Sequence, residues 1–207
     1  MSSGPVHEVT LTCHPETPGD AVRSIAARVS RMPDGMLAVT YIFEGDLDRL
    51  RAPARRPRRS AARLWQHTCC EIFIARHDLA AYHEFNLSPS GEWAAYAFQR
   101  YRDGAPLADE SNAEELNPQI AVRDSAKKLE LDALIHLDRL SPAHHAAKLS
   151  LALSAIVEEK DGLLSYWAIK HPPGKPDFHH ADAFALEMEQ INCSPQRSNG
   201  LPDEVRD

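Results

Sequence analysis

The residues with the greatest chemical capacity lie between positions 64 and 101. The stretch opens Trp65-Gln66-His67-Thr68-Cys69-Cys70-Glu71-Ile72-Phe73-Ile74 and resumes as Tyr82-His83-Glu84-Phe85-Asn86-Leu87-Ser88-Pro89-Ser90-Gly91-Glu92-Trp93-Ala94-Ala95-Tyr96. In an extended chain successive side chains point to opposite faces, so Glu71 and Phe73 share one face while Cys70, Ile72 and Ile74 share the other. By the same rule Tyr82, Glu84 and Asn86 oppose His83, Phe85 and Leu87. Neighbouring strands would thus bring a carboxylate, an amide and an aromatic ring together. A sugar needs that mixture, because rings cover its C–H face while carboxylates and amides take its hydroxyls. The plainer reading is polar residues facing solvent and tryptophan in the core.

Two other chemistries draw on the same side chains. Glu71, Glu84 and Glu92 could include the paired carboxylates of a glycosidase. Their spacing does not demand it, and the chain has no Gly-rich phosphate loop, nucleophile elbow or HExxH. Non-catalytic binding is therefore the leading expectation, with sugar-directed catalysis behind it. Histidines cluster at His144-His145 and at His179-His180, the latter near Asp177 and Asp182. Adjacent histidines on a strand point apart; His179 shares parity with Asp177 and His180 with Asp182, and either pair would need a third ligand such as His67 or His171 to hold a metal. His179, His180 and Asp182 are weak metal candidates, and turn or rim residues are the plainer reading.

The elements that must position these groups are strands. Leu37, Val39, Tyr41 and Phe43 alternate, as do Leu149, Leu151 and Leu153, and period-two patterning marks half-buried strands. Strands are expected near 6–13, 24–31, 36–44, 69–76, 82–87, 92–101, 119–124, 128–136, 148–157, 164–169 and 183–190. Turn signals separate them at Pro33-Asp34-Gly35, Ser88-Pro89-Ser90-Gly91 and Asp161-Gly162, the last a tight hairpin. Helix is scarce: single turns near 46–50 and 137–140, and a short helix over 108–116 with Asp109 near its start. This pattern predicts an all-β, antiparallel two-sheet sandwich of the jelly-roll or immunoglobulin-like kind. One domain is expected over 1–190, with a basic loop at 49–63 and a flexible tail at 191–207.

Composition narrows the function classes. The chain has 207 residues and a net charge of −7, which argues against nucleic acid as a partner. The basic run holds Arg49, Arg51, Arg55, Arg56, Arg58, Arg59 and Arg63, read as a hydrated surface loop or, more sharply, a contact for phosphate or a protein partner. No stretch reaches the ~20 apolar residues of a membrane helix. No export signal is legible at the N-terminus, so the expected location is the cytoplasm. Cys13, Cys69, Cys70 and Cys193 form no CxxC arrangement and read as buried small side chains.

The succession from Trp65 through Glu71-Ile72-Phe73 to Tyr82-His83-Glu84-Phe85-Asn86 and Trp93 resembles the bacterial DOMON-like domain proteins. Those are distantly similar to the family-9 carbohydrate-binding modules. Tyr166-Trp167-Ala168-Ile169, His171-Pro172, Lys175-Pro176-Asp177-Phe178-His179 and Asp182-Ala183-Phe184 extend the resemblance over roughly positions 5 to 190. The resemblance implies a β-sandwich with a ligand site on its concave face or one edge, where two tryptophans sandwich a sugar. By position these match Trp65 and Trp167, and the strand carboxylate matches Glu71. Glu84, Asn86, Trp93 and Tyr96 are then expected to line or support the site. Other relatives bind haem through a Met and a His, which makes a haem-binding redox module the alternative, with Met32 and Met36 as the methionines near an early turn.

Overall fold

The computed structural model describes residues 4–51, 53–57, 59–107, 112–144 and 147–190. Within them run β1 (Val6–Cys13), β2 (Val22–Arg31), β3 (Met36–Gly45), β4 (Cys69–Arg76), β5 (Tyr82–Leu87) and β6 (Trp93–Arg100). There follow β7 (Asp103–Pro106), β8 (Gln119–Asp124), β9 (Lys128–His136), β10 (Leu149–Glu158), β11 (Leu164–Ala168) and β12 (Leu186–Met188). Two one-turn helices, α1 (Ala113–Leu116) and α2 (Leu137–Leu140), and four 3-10 turns occupy connections.

The strands pair antiparallel into two layers, β1-β2-β3-β9-β8 and β7-β6-β5-β4-β10-β11, with β12 beside the start of β10. β1 belongs to both. Its Val6 to Leu11 part pairs with β2, and its last two residues, Thr12 and Cys13, pair with Ala168 and Trp167 of β11. A strand that changes sheets makes a corner of a sandwich.

Alternation sorts the side chains as the sequence predicts. Leu37, Val39, Tyr41 and Phe43 of β3 and Leu129, Leu131, Ala133 and Ile135 of β9 face inward from the first sheet. Cys70, Ile72 and Ile74 of β4 and Leu149, Leu151, Leu153 and Ala155 of β10 meet them from the second. Tyr41, fully buried, donates its hydroxyl to the Glu71 carbonyl oxygen at 2.6 Å. That bond satisfies a phenol whose burial would otherwise be costly, and it ties one sheet to the other.

The fold is the expected two-sheet sandwich with little helix. The hairpin at Asp161-Gly162 is present, with Gly162 at φ 92° between β10 and β11. Departures lie at the edges. β7 was not expected, because an exposed edge strand carrying Gly104 and Pro106 shows no alternation. The strand expected over 183–190 shrinks to Leu186–Met188, preceded by a 3-10 turn at Ala181–Ala183. The helix expected over 108–116 is described only as Ala113–Leu116. Asp109, His145, Arg58, Cys193 and the 191–207 tail lie outside the described residues.

Five arginines of the basic run are exposed and engaged by acids from elsewhere in the chain. Arg49 meets Asp20 and Glu159, Arg51 meets Glu158, Arg55 meets Asp124, and Arg56 and Arg59 meet Glu92. These pairs place the segment against β10 and the Ser88 to Glu92 turn.

Candidate ligand-binding site

The outer face of the second sheet carries the site. Cross-strand register sets Glu71 opposite Asn86 and Phe73 opposite Glu84. It sets Glu84 opposite Tyr96 and Tyr82 opposite Phe98. On the other side of β4, Glu71 meets Ser154, and farther out Ile156 meets Tyr166. Because all these residues share one parity, the two carboxyls fall on adjacent strands as diagonal neighbours, with Cα atoms about 7–8 Å apart in standard geometry.

A strap, residues 170–185, crosses this face. Phe178 and Ala183 bury themselves among Phe73, Tyr82 and Ala152. Tyr82 stacks on Phe98 at 4.7 Å with planes 8° apart. Asp177 ties the strap to the turn after β6, accepting from the Arg102 guanidinium at 2.8 Å and the Tyr101 hydroxyl at 2.7 Å. At its start His171 bonds the Thr12 carbonyl oxygen at 2.8 Å, and His14 bonds the Gly174 carbonyl oxygen at 2.9 Å.

Strap and sheet enclose a cavity of about 330 Å³, at the small end of ligand pockets. Trp65, Tyr96, Phe98, Tyr166 and Phe178 supply aromatic walls, and Glu71, Glu84, Arg102 and His179 the polar groups. Trp65 is 40% exposed and stands edge-on to Tyr96 at 5.7 Å. The only two non-glycine residues with positive φ among the described residues sit beside this cavity: Arg63 at 60°, two positions before Trp65, and Arg102 at 54°. Left-handed backbone costs a bulky residue roughly 1–2 kcal/mol. Such strain gathers where side chains must be aimed. Arg102, in the turn between β6 and β7, lines the cavity itself, as does Trp65 two positions after Arg63. A second hollow, about 650 Å³, lies on the same face near Ala75, His77, Tyr82 and Phe184. It holds no buried carboxyl.

The polar groups are unusual for their burial. Glu71 is 3% exposed and Glu84 5%. Glu71 has one weak partner, the Ser154 hydroxyl, which donates to Oε2 at 3.4 Å. Glu84 Oε1 accepts from the Asn86 amide at 2.8 Å. Burial raises both carboxyls, and the charge of Glu84 raises Glu71 further, well above the ordinary carboxylate range. Glu84 is pushed up to about 7 by burial, although the Asn86 amide and Arg102 pull it down. His179 is driven down to about 4, by burial first and Arg102 second. The Tyr82 oxygen accepts the Arg102 backbone N–H at 3.1 Å, which leaves its hydroxyl hydrogen for His179 Nδ1 at 2.9 Å. In that arrangement the neutral ring carries its hydrogen on Nε2, which lies 3.8 Å from Glu84 Oε2.

Of the residues expected at a site, Trp65, Glu71, Glu84 and Tyr96 line the cavity, and Asn86, fully buried, supports Glu84 from beneath. Trp167 does not join them, which corrects the expected tryptophan sandwich. It faces the inter-sheet core at 6% exposure, and its indole Nε1 donates to the Ser165 hydroxyl at 3.0 Å. The cause is parity: its neighbour Tyr166 is the residue of β11 that faces the cavity. Trp93 is corrected likewise. It lies in the core, 1% exposed, stacked on Phe85. Arg102, Tyr166, Phe178 and the cavity role of His179 were missed. Tyr166 stands beside Trp167, so alternation alone does not choose between them, and Arg102 sits in a turn and leaves no periodic signal.

The metal candidates do not converge. His180 Nδ1 accepts from the Asp182 backbone N–H at 3.1 Å, while His179 faces the cavity. Among the described residues no three His, Cys, Asp or Glu side chains are grouped to hold a metal ion. Met32 and Met36 lie at the turn joining β2 and β3, in the other sheet, and neither lines the cavity.

No protein-family model matches the chain, and no curated protein matches it. Solved structures do. A "putative carbohydrate-binding protein" from Bacteroides uniformis ATCC 8492 superposes with a TM-score of 0.61 at 11% identity, over 86% of this chain and 83% of that one. A family-9 carbohydrate-binding module from Caldicellulosiruptor kristjanssonii, in complex with cellotriose, gives a TM-score of 0.48 at 12% identity, over 82% and 75% of the two chains. Its glucose complex gives 0.47 at 12%, over 84% and 81%. At such identities the likeness is one of fold.

Proposed function

We propose that this protein binds a carbohydrate, without transforming it, in the aromatic-walled cavity beneath the 170–185 strap. The observation that carries the reading is the pair Glu71 and Glu84, buried at the base of a cavity whose walls are Trp65, Tyr96, Tyr166 and Phe178. Rings of this kind cover the C–H face of a pyranose, and the carboxyl oxygens accept its hydroxyls. The Bacteroides uniformis fold neighbour, described as carbohydrate-binding, supports the choice of ligand. DOMON-like kinship fits the same sandwich, but haem ligation of the Met–His kind finds no methionine at the cavity and only His179 among its histidines.

Trp65 makes the test direct, since Trp93 and Trp167 are enclosed in the core. Titration with a panel of neutral and amino mono- and disaccharides should give a saturable change in tryptophan emission, lost in Trp65→Ala with the circular dichroism spectrum retained. The recovered sugar should be chemically unchanged by chromatography. Silence across the sugar panel in both fluorescence and calorimetry would overturn the reading, and release of a cleaved product would replace binding with hydrolysis.

A further inference from the structure

The charges inside the cavity specify more than a neutral ring. Among the described residues, five acidic side chains are buried: Glu71, Glu84, Glu92, Glu158 and Glu159. Three have guanidinium partners. Glu92 meets Arg59 at 2.7 Å, Glu158 meets Arg51 at 2.8 Å, and Glu159 meets Arg49 at 2.9 Å. Glu71 and Glu84 have no Lys or Arg within ion-pair distance, and Glu71 Oε1 has no hydrogen-bond partner among the described residues. Among the described residues, then, the three buried carboxyls away from the cavity each meet a guanidinium, and the two that face it do not.

Among the described residues, the one cation on the cavity lining favours the charged form of both carboxyls from beyond ion-pair distance and is shared with another acid. Arg102, the cation on its lining, is engaged by Asp177 at 2.8 Å. His179 is neutral at ordinary pH, its Nε2 too far from Glu84 for a hydrogen bond. The remaining ionisable groups nearby are Cys69 beside Glu71 and the phenols of Tyr82, Tyr96, Tyr101 and Tyr166, none of which offers a positive charge. The walls suit a cation, because an ammonium beside the face of Trp65, Tyr96 or Tyr166 is attracted by the ring quadrupole.

We infer that the ligand is a sugar bearing a protonated amino group, its ammonium seated between Glu71 and Glu84 and its ring against the aromatic walls. The inference rests on the sugar-binding reading and narrows it. Entry of the ammonium favours the ionised form of both carboxyls, so binding expels protons that the empty cavity retains.

The test is calorimetry on the full chain at about pH 6.5, where alkyl amines remain protonated. Glucosamine, galactosamine and mannosamine are each compared with the neutral parent hexose and the N-acetylated form. One amino sugar should bind at least about tenfold more tightly than both its counterparts. Its enthalpy should also differ between buffers of different ionisation enthalpy, reporting proton release. In Glu71→Gln and Glu84→Gln the amine-to-parent affinity ratio should fall toward one. Binding of a neutral sugar with no preference for its amine overturns the inference and leaves the sugar reading standing. Failure of every sugar overturns both. Cyclohexylamine binding as tightly as the best amino sugar would overturn the sugar while retaining the cation.

Discussion

The outer faces of the two sheets are built by the same alternation and end in opposite states. On the first sheet the outward residues are polar and wet. Arg28 pairs with Glu8, Thr40 donates to Asp132, and Arg123 reaches Glu130 and Asp132, with both arginines more than half exposed. On the second sheet the outward residues are Phe73, Tyr82, Phe98 and Ile156, with Glu71, Glu84 and Asn86 among them, and the strap encloses them. Acids on the first face cost little because water and arginine surround them. Acids on the second are held where neither does so. The lesson is that a carboxyl's setting says more about function than its presence in a strand.

Three tests, using four substitutions, probe that contrast in order of expected size, the first setting one residue of each face side by side. Phe73→Ala, on the covered face, should destabilise the fold by about 3–5 kcal/mol in urea unfolding. Thr40→Ala on the open face should cost under about 1 kcal/mol. Equal losses would mean that the strap adds no real burial.

The second test concerns pH. Glu84 titrates near 4.5 when unfolded and at about 7 in the fold, so between those values the folded state binds more protons. Its contribution to stability is complete below 4.5 and is lost as pH rises through about 7. His179 works the other way, losing stability as pH falls from 6.5 toward about 4. Glu84→Gln removes the first contribution and relieves the part of the Glu71 shift that the Glu84 charge causes. The stability of Glu84→Gln relative to wild type should therefore grow by up to about 3 kcal/mol as pH rises from 4.5 to 8. A constant difference would show that Glu84 ionises normally and belongs with the acids of the open face. The smallest effect is expected for Arg123→Ala, within about 1 kcal/mol and shrinking further in high salt, because its pairs are exposed.

The strands of the second sheet were legible because β5 alternates Glu84-Phe85-Asn86-Leu87 and β10 alternates Leu149, Leu151 and Leu153, and parity along β4 and β5 then gave the shared face of Glu71, Glu84 and Asn86. The tryptophans were not legible. In Tyr166-Trp167 one residue faces the cavity and the other the core, and both are aromatic, so composition leaves register undecided by one position. Register came instead from Trp167 pairing with Ala155 and Cys13 in the sheet. The strap was illegible for a different reason. Its Pro-rich sequence has no period, and it is held by single contacts such as Asp177 to Arg102, whose partners lie 75 positions apart.

The sheet change within β1 also sets a schedule. Thr12 and Cys13 find their strand partners only in Ala168 and Trp167, so a chain made from its N-terminus leaves that end of β1 unpaired through most of synthesis. At ordinary elongation rates of 5–20 residues per second the wait is on the order of ten to thirty seconds. The cavity keeps the same timetable, since Trp65 and Glu71 emerge long before His179 closes over them. Until then an aromatic, half-made sheet face stands open, and the nascent chain depends on whatever shields such a surface.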